Sequence, residues 1–269
     1  MNNPASKRPD IDRHGAFLSF APERSLAFKL RILLKALISA IVLTLWSVVM
    51  LMVAIGTLFM ARRLYNEYLA KWLARFILWQ WNIKIVVHKS GEIPLGQVIY
   101  ISNHTSTIDI FAVLSMGLTR CRYFLFGRLR RIIPLGIIAT VMGTFFTFPQ
   151  TQPEKRTRVF QNADKTLRRT GESVYLSPEG KRVTTGEIGK FNKGAFHLAT
   201  SLKAPIVPFY IQIPEESNPG AGIDAEPGTI HIYFEKPIPT ADWRLEDLVE
   251  NKEMVRDLFL GYHSKYGSG

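Results

Sequence analysis

The chain carries two hydrophobic patterns that meet near residue 82. From Ala36 to Ala61 there are 26 residues without a charge, and a helix of that length at ~1.5 Å per residue exceeds the ~30 Å hydrocarbon thickness of a bilayer. The run predicts a membrane segment. A cleavable signal peptide fits poorly, because the apolar run is too long and Arg62 and Arg63 follow it with no small-residue cleavage motif. Lys29, Arg31 and Lys35 precede the run while Arg62, Arg63, Lys71 and Arg75 follow it, so the positive-inside rule favours neither orientation of a single span. The segment either dips into one leaflet or bends and pairs with the stretch Leu64 to Trp81. That stretch reads as an amphipathic helix, with Tyr65, Tyr68, Trp72, Trp79 and Trp81 as interfacial aromatics and Lys71 and Arg75 on a polar side. A helix packed on the globular domain would show the same pattern.

From Ile83 onward the pattern changes to short apolar runs alternating with longer helical stretches. Strands are predicted at residues 83–87, 98–102, 123–126, 144–148, 173–176, 206–211 and 230–234. Helices are predicted near 107–116, 132–142, 155–170, 193–201 and 245–262. This alternation predicts an α/β fold, a mixed sheet covered by helices, preceded by an N-terminal membrane helix pair. The expected organisation is a polar tail over residues 1–28, anchoring helices over 29–82 and an α/β domain over 83–269.

Charge and cysteine content narrow the picture. The net charge of +12 suits a polyanionic partner, either nucleic acid or an anionic membrane face. The uncharged run and the lack of a nucleic-acid motif favour lipid over nucleic acid. One cysteine, Cys121, excludes an internal disulfide and a multi-cysteine zinc site, and reads as a small core residue.

Two turns carry candidate chemistry. Val98 to Ile110 reads VIYISNHTSTIDI, a strand, a polar turn and a helix, and strand ends in α/β sheets are where sites are built. Five residues on a helix turn through about 500°, so His104 cannot share a helical face with Asp109. It must sit in the preceding turn with its ring folded back. Asp109 would then fix the tautomer and leave the second ring nitrogen free as a general base. No G-x-S-x-G elbow is present, so Ser102 and Ser106 are not indicated as nucleophiles and the substrate would bring its own hydroxyl. Taken alone, H-x4-D is more often a capped turn. The second turn, Tyr175 to Arg182, reads YLSPEGKR and places a carboxylate, a flexible glycine and two cations in one loop. By itself it is an ordinary charged turn. Arg128, Arg130 and Arg131 lie in GRLRRIIPLG, and Ala204 to Phe209 reads APIVPF.

The order NHTSTID, GRLRRIIPLG, SPEGKR, APIVPF behind an apolar anchor resembles the lysophosphatidic acid acyltransferase family of glycerolipid acyltransferases. The resemblance covers residues 83–235. It implies acyl transfer from acyl-CoA or acyl carrier protein to a lysophospholipid hydroxyl, that of 1-acylglycerol 3-phosphate giving phosphatidic acid. It also implies a membrane-lipid setting, a bacterial inner-membrane location with the catalytic domain on the cytoplasmic face, and no cofactor or metal. In that pattern His104 deprotonates the acceptor and Asp109 orients it. Glu179 and Gly180 hold the glycerol part or the reacting carbonyl, and Lys181 and Arg182 belong to the same substrate-binding turn. Arg182, with Arg128, binds the acceptor phosphate.

Three motifs depart from the family pattern. Ser177 replaces a phenylalanine and Lys181 a threonine. Arg128 stands where lysine is usual. Gly143 to Gln150, GTFFTFPQ, lacks a strand-ending Asp-Arg, for which Lys155, Arg156 or Arg158 would substitute. The last departure touches the acceptor head group more than the reaction. Acylation of another lyso-lipid, and a non-catalytic lipid-binding protein of the same fold, are the alternatives. Hydrolysis of an acyl lipid by the same His-Asp pair is a third. The remaining histidines, His14, His88, His197, His231 and His263, have no carboxylate at a matching spacing.

Overall fold

The structure, a computed structural model, describes residues 25–220 and 222–267. Nearly all of the expected polar tail, with His14, lies outside the described residues. The tail's last residues do not, and they are helical: α1 runs Leu26–Gly56, capped by the Ser25 side chain, which accepts from the Phe28 N–H at 3.2 Å. The helix therefore begins ahead of the uncharged run and ends before Ala61, where Leu58 and Phe59 take positive φ.

Among the described residues α1 is the one helix long and apolar enough to cross a membrane. It lies along the body rather than projecting from it. Gln80 Nε2 donates to the Lys35 carbonyl at 3.0 Å, Trp81 Nε1 to Ser39 Oγ at 2.9 Å, and Trp46 Nε1 to the Leu69 carbonyl at 3.1 Å. Its outer face leaves Leu30, Leu34, Leu37, Ile41, Leu45 and Met52 exposed.

The predicted second helix opens with π-helical turns over Leu64–Ala70 and continues as α2, Lys71–Gln80. Both sequence readings of this stretch hold in part. Tyr65, Leu73, Ala74, Ile77 and Leu78 pack inward, while Tyr68, Trp72 and Trp79 stay exposed. Within the π segment the buried Asn66 donates from Nδ2 to the carbonyls of Cys121 at 2.9 Å and Met142 at 3.3 Å, tying the anchor to the sheet.

The seven strands fall where the apolar runs placed them: β1 Ile83–Lys89, β2 Ile99–Ser102, β3 Cys121–Phe126, β4 Phe145–Thr147, β5 Ser173–Leu176, β6 Ile206–Gln212 and β7 Gly228–Phe234. They form one sheet in the order β1-β7-β6-β2-β5-β3-β4. Pairing is parallel from β6 through β2, β5 and β3 to β4, while β6 and β7 are antiparallel. The helices are α3 Asp109–Met116, α4 Ile133–Val141, α5 Pro153–Thr170, α6 Gly194–Leu202 and α7 Leu248–Tyr266.

Both faces of the sheet are covered. One core joins α1 to α4 with Tyr100, Tyr123 and Phe209, and the other gathers Leu167, Phe196, Val255 and Phe259 from α5, α6 and α7. Such double cover explains why β2 and β5 are buried at every position. Cys121 is a free core thiol, as its isolation suggested, and burial pushes its pKa up.

Candidate active site

The carboxyl ends of β2, β5, β3 and β4 point the same way, so the turns that follow them gather at one edge of the sheet. The turn after β2 is fixed first. Asn103 is buried and bonds the neighbouring strand twice, donating to the Ile211 carbonyl at 2.9 Å and accepting from the Ile211 N–H at 2.8 Å. This clamp sets where the chain leaves the sheet and where His104 begins.

His104 lies in the turn and Asp109 is the first residue of α3, with Oδ2 at 2.7 Å from His104 Nδ1. The same oxygen accepts from the Thr105 and Ser106 N–H groups at 2.8 and 2.9 Å. Capping the turn and orienting the imidazole, competing readings in the sequence, are thus done by one carboxylate. Asp109 is 1% exposed, whereas the His104 side chain retains 31% exposure. With Nδ1 held as the donor, Nε2 is the ring nitrogen left to accept a proton. Neither nearby serine reaches the ring: Ser102 Oγ pairs with the Tyr175 hydroxyl at 2.9 Å and donates to the Asn103 carbonyl, and Ser106 Oγ accepts from the Ile108 N–H at 3.4 Å.

The turn after β5 closes on this one. Glu179 Oε2 accepts from the His104 N–H at 2.7 Å and Oε1 from the Gly189 N–H at 2.8 Å. The Val183 N–H donates to the His104 carbonyl at 2.8 Å. Glu179 is 2% exposed, and its carboxylate is committed to backbone donors on both sides of the site. The family resemblance implied that Glu179 holds the glycerol part or the reacting carbonyl; the geometry makes its carboxylate a brace for the His104 turn. Gly180 has φ +66°, and a Cβ there would lie 2.6 Å from Asn192 Nδ2. That amide donates to the Pro178 and Glu179 carbonyls at 3.1 and 2.8 Å, so glycine is what lets the turn be gripped from above.

Burial raises the Glu179 carboxyl to about 7, against the pull of the two backbone N–H donors and of His104. A raised acid pKa means that the folded state holds a proton the unfolded chain releases. The corresponding stability is complete below 4.5 and is lost as pH rises through about 7. In thermal melts in detergent, wild type should lose stability across that interval by up to about 1.4 kcal/mol per pH unit. Glu179→Gln should remove that part of the slope.

Arg182 is half-buried and donates from Nη1 to Thr107 Oγ1, which itself donates to the Gly220 carbonyl at 3.0 Å. Burial lowers its pKa and the Asp109 charge opposes that shift. The guanidinium is thus carried to the His104 turn by a residue of the first box, and the β6–β7 connection backs both. Lys181 is exposed beside it.

Arg128 is exposed on the 3-10 turn Gly127–Arg131, two strands away, with its guanidinium 5.8 Å from the Phe126 ring centroid. Among the described residues it is not joined to Arg182. Where the family pattern has Asp-Arg, β4 runs into Phe148, Pro149 and Gln150. Gln150 Nε2 donates to Asn192 Oδ1 at 3.0 Å and Lys155 sits 5.6 Å from the Phe148 ring. Asn103, Thr107, Asn192 and Gly220 carry the architecture yet were not singled out by sequence. Asn103 could have been, since it opens the first box; Asn192 stands in no recognisable pattern.

Among the described residues, the other histidines lie away from the His104 ring. His88 Nε2 and His231 Nδ1 are 3.0 Å apart on the β1–β7 edge, and His263 Nδ1 pairs with the Tyr210 hydroxyl at 2.8 Å.

Comparison with known proteins adds to this geometry. A family model described as Acyltransferase matches residues 84–212. The chloroplastic 1-acyl-sn-glycerol-3-phosphate acyltransferase of Arabidopsis thaliana is 28% identical over 182 residues, covering 66% of this chain and 49% of that protein. The enzyme so named from Saccharomyces cerevisiae is 27% identical over 200 residues, covering 71% and 65%. The chain therefore spans about half the length of the first of these relatives and under two thirds of the second. Among solved structures, the 1-acyl-sn-glycerophosphate acyltransferase PlsC of Thermotoga maritima shares the fold with a TM-score of 0.62, at 21% identity over 88% of this chain and 98% of that one. The chain is thus similar to 1-acyl-sn-glycerol-3-phosphate acyltransferases, the enzymes of the family its four ordered motifs resemble.

Proposed function

We propose that the protein moves a fatty acyl group from a thioester donor, acyl-CoA or acyl carrier protein, to the free hydroxyl of 1-acylglycerol 3-phosphate, forming phosphatidic acid. The observation that carries this reading is the buried Asp109 bonded to His104 Nδ1, which leaves Nε2 as the base, while among the described residues no serine hydroxyl bonds the ring. His104 takes the hydroxyl proton as the acceptor oxygen attacks the thioester carbonyl. Collapse of the tetrahedral adduct breaks the carbon–sulfur bond, and His104 returns the proton to the departing thiolate. Arg182 pairs with the acceptor phosphate. A thioester is already activated, so positioning and a base can supply the rate.

The exposed face of α1 and the aromatics of α2 support a membrane-attached enzyme. With α1 dipping into one leaflet, its two basic ends stay on one side, and this reading puts them and the catalytic domain on the cytoplasmic face of a bacterial inner membrane. The acceptor is tested with a panel of lysolipids differing only in head group. The account expects 1-acylglycerol 3-phosphate to be used with the highest kcat/KM. Preference for a choline or ethanolamine head group would overturn the acceptor while leaving the reaction standing, and would give the missing Asp-Arg its reason.

A further inference from the structure

Past Arg128, the turn from β3 into α4 carries residues that the proposed acyl transfer does not use. Ile132 and Ile133 are 37% and 74% exposed, and Arg130 and Arg131 beside them are exposed as well. Scattered surface isoleucines need no explanation, but these have particular neighbours. Phe126, at the end of β3, is 40% exposed, and the Arg130 guanidinium lies 5.2 Å from the Phe146 ring centroid. α4, which Ile133 opens, packs against α1, whose outer face is a continuous run of exposed Leu, Ile and Val. Arginines over aromatic rings beside unpartnered aliphatics match the composition of a membrane interface.

The turn is braced rather than loose. A Cβ at Gly136 would lie 2.4 Å from the Arg130 carbonyl oxygen, and the Gly136 N–H donates to the Ile132 carbonyl at 2.8 Å. The backbone of α4 therefore fixes the direction of the arginines and isoleucines. The turn also leaves the same sheet edge as the His104 turn. In the order β2-β5-β3 they are two strand spacings apart, about 10 Å.

We propose that residues 130–133 form a second membrane contact. Ile132 and Ile133 enter the interfacial layer of the leaflet that holds α1, and Arg130 and Arg131 pair with anionic lipid head groups. The His104 site then opens onto the bilayer surface that supplies the lysophospholipid, a consequence that rests on the proposed function, whereas the contact itself does not.

The test uses the full chain carrying Cys121→Ala, which removes the one native thiol, with an environment-sensitive fluorophore on a single new cysteine at position 37, 133 or 245. Leu37 lies on the exposed face of α1, and Leu245 is an exposed control ahead of α7. With phosphatidylglycerol-containing vesicles the labels at 37 and 133 should shift to the blue and the label at 245 should not. Arg130→Glu with Arg131→Glu should require at least about fivefold more anionic lipid for the shift at 133, while the label at 37 stays in lipid. A water-like label at 133 beside a shifted label at 37 would overturn the second contact. So would a shift at 133 produced by acidic acyl carrier protein and not by vesicles, which would make the turn a protein-docking site. A shift that is equal on phosphatidylcholine alone and indifferent to the arginine changes would overturn the head-group pairing. No shift at 37 would reject membrane attachment itself, and acyl transfer from soluble substrates would still be measurable.

Discussion

His104→Ala lowers kcat for acyl transfer by about 10²- to 10⁴-fold, the range that a positioned general base contributes, and leaves binding of the lysolipid nearly intact. The cut falls on kcat because the side chain acts on a proton in flight. Among the described residues its ring hydrogen-bonds Asp109, at 2.7 Å. The main-chain contacts of residue 104, to Glu179 and Val183, survive the substitution. Asp109→Asn is a less clean probe. Its oxygen also accepts from the Thr105 and Ser106 N–H groups, so an amide there would disturb the turn as well as the tautomer. Unchanged kcat in His104→Ala, with the protein folded and lipid-bound, would remove the histidine base and favour the non-catalytic lipid-binding alternative.

Arg182→Ala should reduce kcat/KM for 1-acylglycerol 3-phosphate by about 10- to 100-fold, the equivalent of one charge-assisted hydrogen bond of ~1.5–3 kcal/mol. The loss should appear in KM, because the phosphate is bound equally in the ground and transition states, and the KM for the thioester donor should not move. Lysine at 182 would restore only part of it, since an ammonium keeps the charge but not the two-pronged geometry. Thr107→Val should act in the same direction and more weakly, by releasing the guanidinium from its anchor. If Arg182→Ala depressed kcat for every lysolipid alike, the residue would be a brace for the turn and not a phosphate ligand.

Most of the fold was legible because each strand is a short apolar run closed by Gly, Pro, Asn or a charged turn, and such runs are long enough to be strands and too short to be helices. The antiparallel setting of β6 and β7 was not legible: residues 213–227 could equally have led the chain around to a parallel position. Nor were the π-helical turns of residues 64–70, which arise where Asn66 is drawn to two carbonyls from distant parts of the chain. In the site, helical geometry showed how His104 and Asp109 could meet, through a folded-back ring, but it was the ordered company of the other motifs that raised the pair above a capped turn. Glu179 was given a substrate contact by the family resemblance, and a sequence does not show burial; at 2% exposure its carboxylate is bonded to two backbone donors. Asn192 and Thr107 act through partners far away in the chain, and no local pattern announces such residues. The arginines of the β3–α4 turn lie in one basic motif and are all exposed, and only the structure separates them by neighbour, Arg128 near Phe126 and Arg130 near Phe146.

The measurement that bears most directly on the central claim is thiol release from an acyl thioester by the purified, membrane-reconstituted protein, followed together with its lipid products. The account predicts that thiol appears only when 1-acylglycerol 3-phosphate is present, and that one phosphatidic acid forms for each thiol released. Release without a lysolipid, with free fatty acid as the product, or no release with any thioester and lysolipid pair, would contradict it.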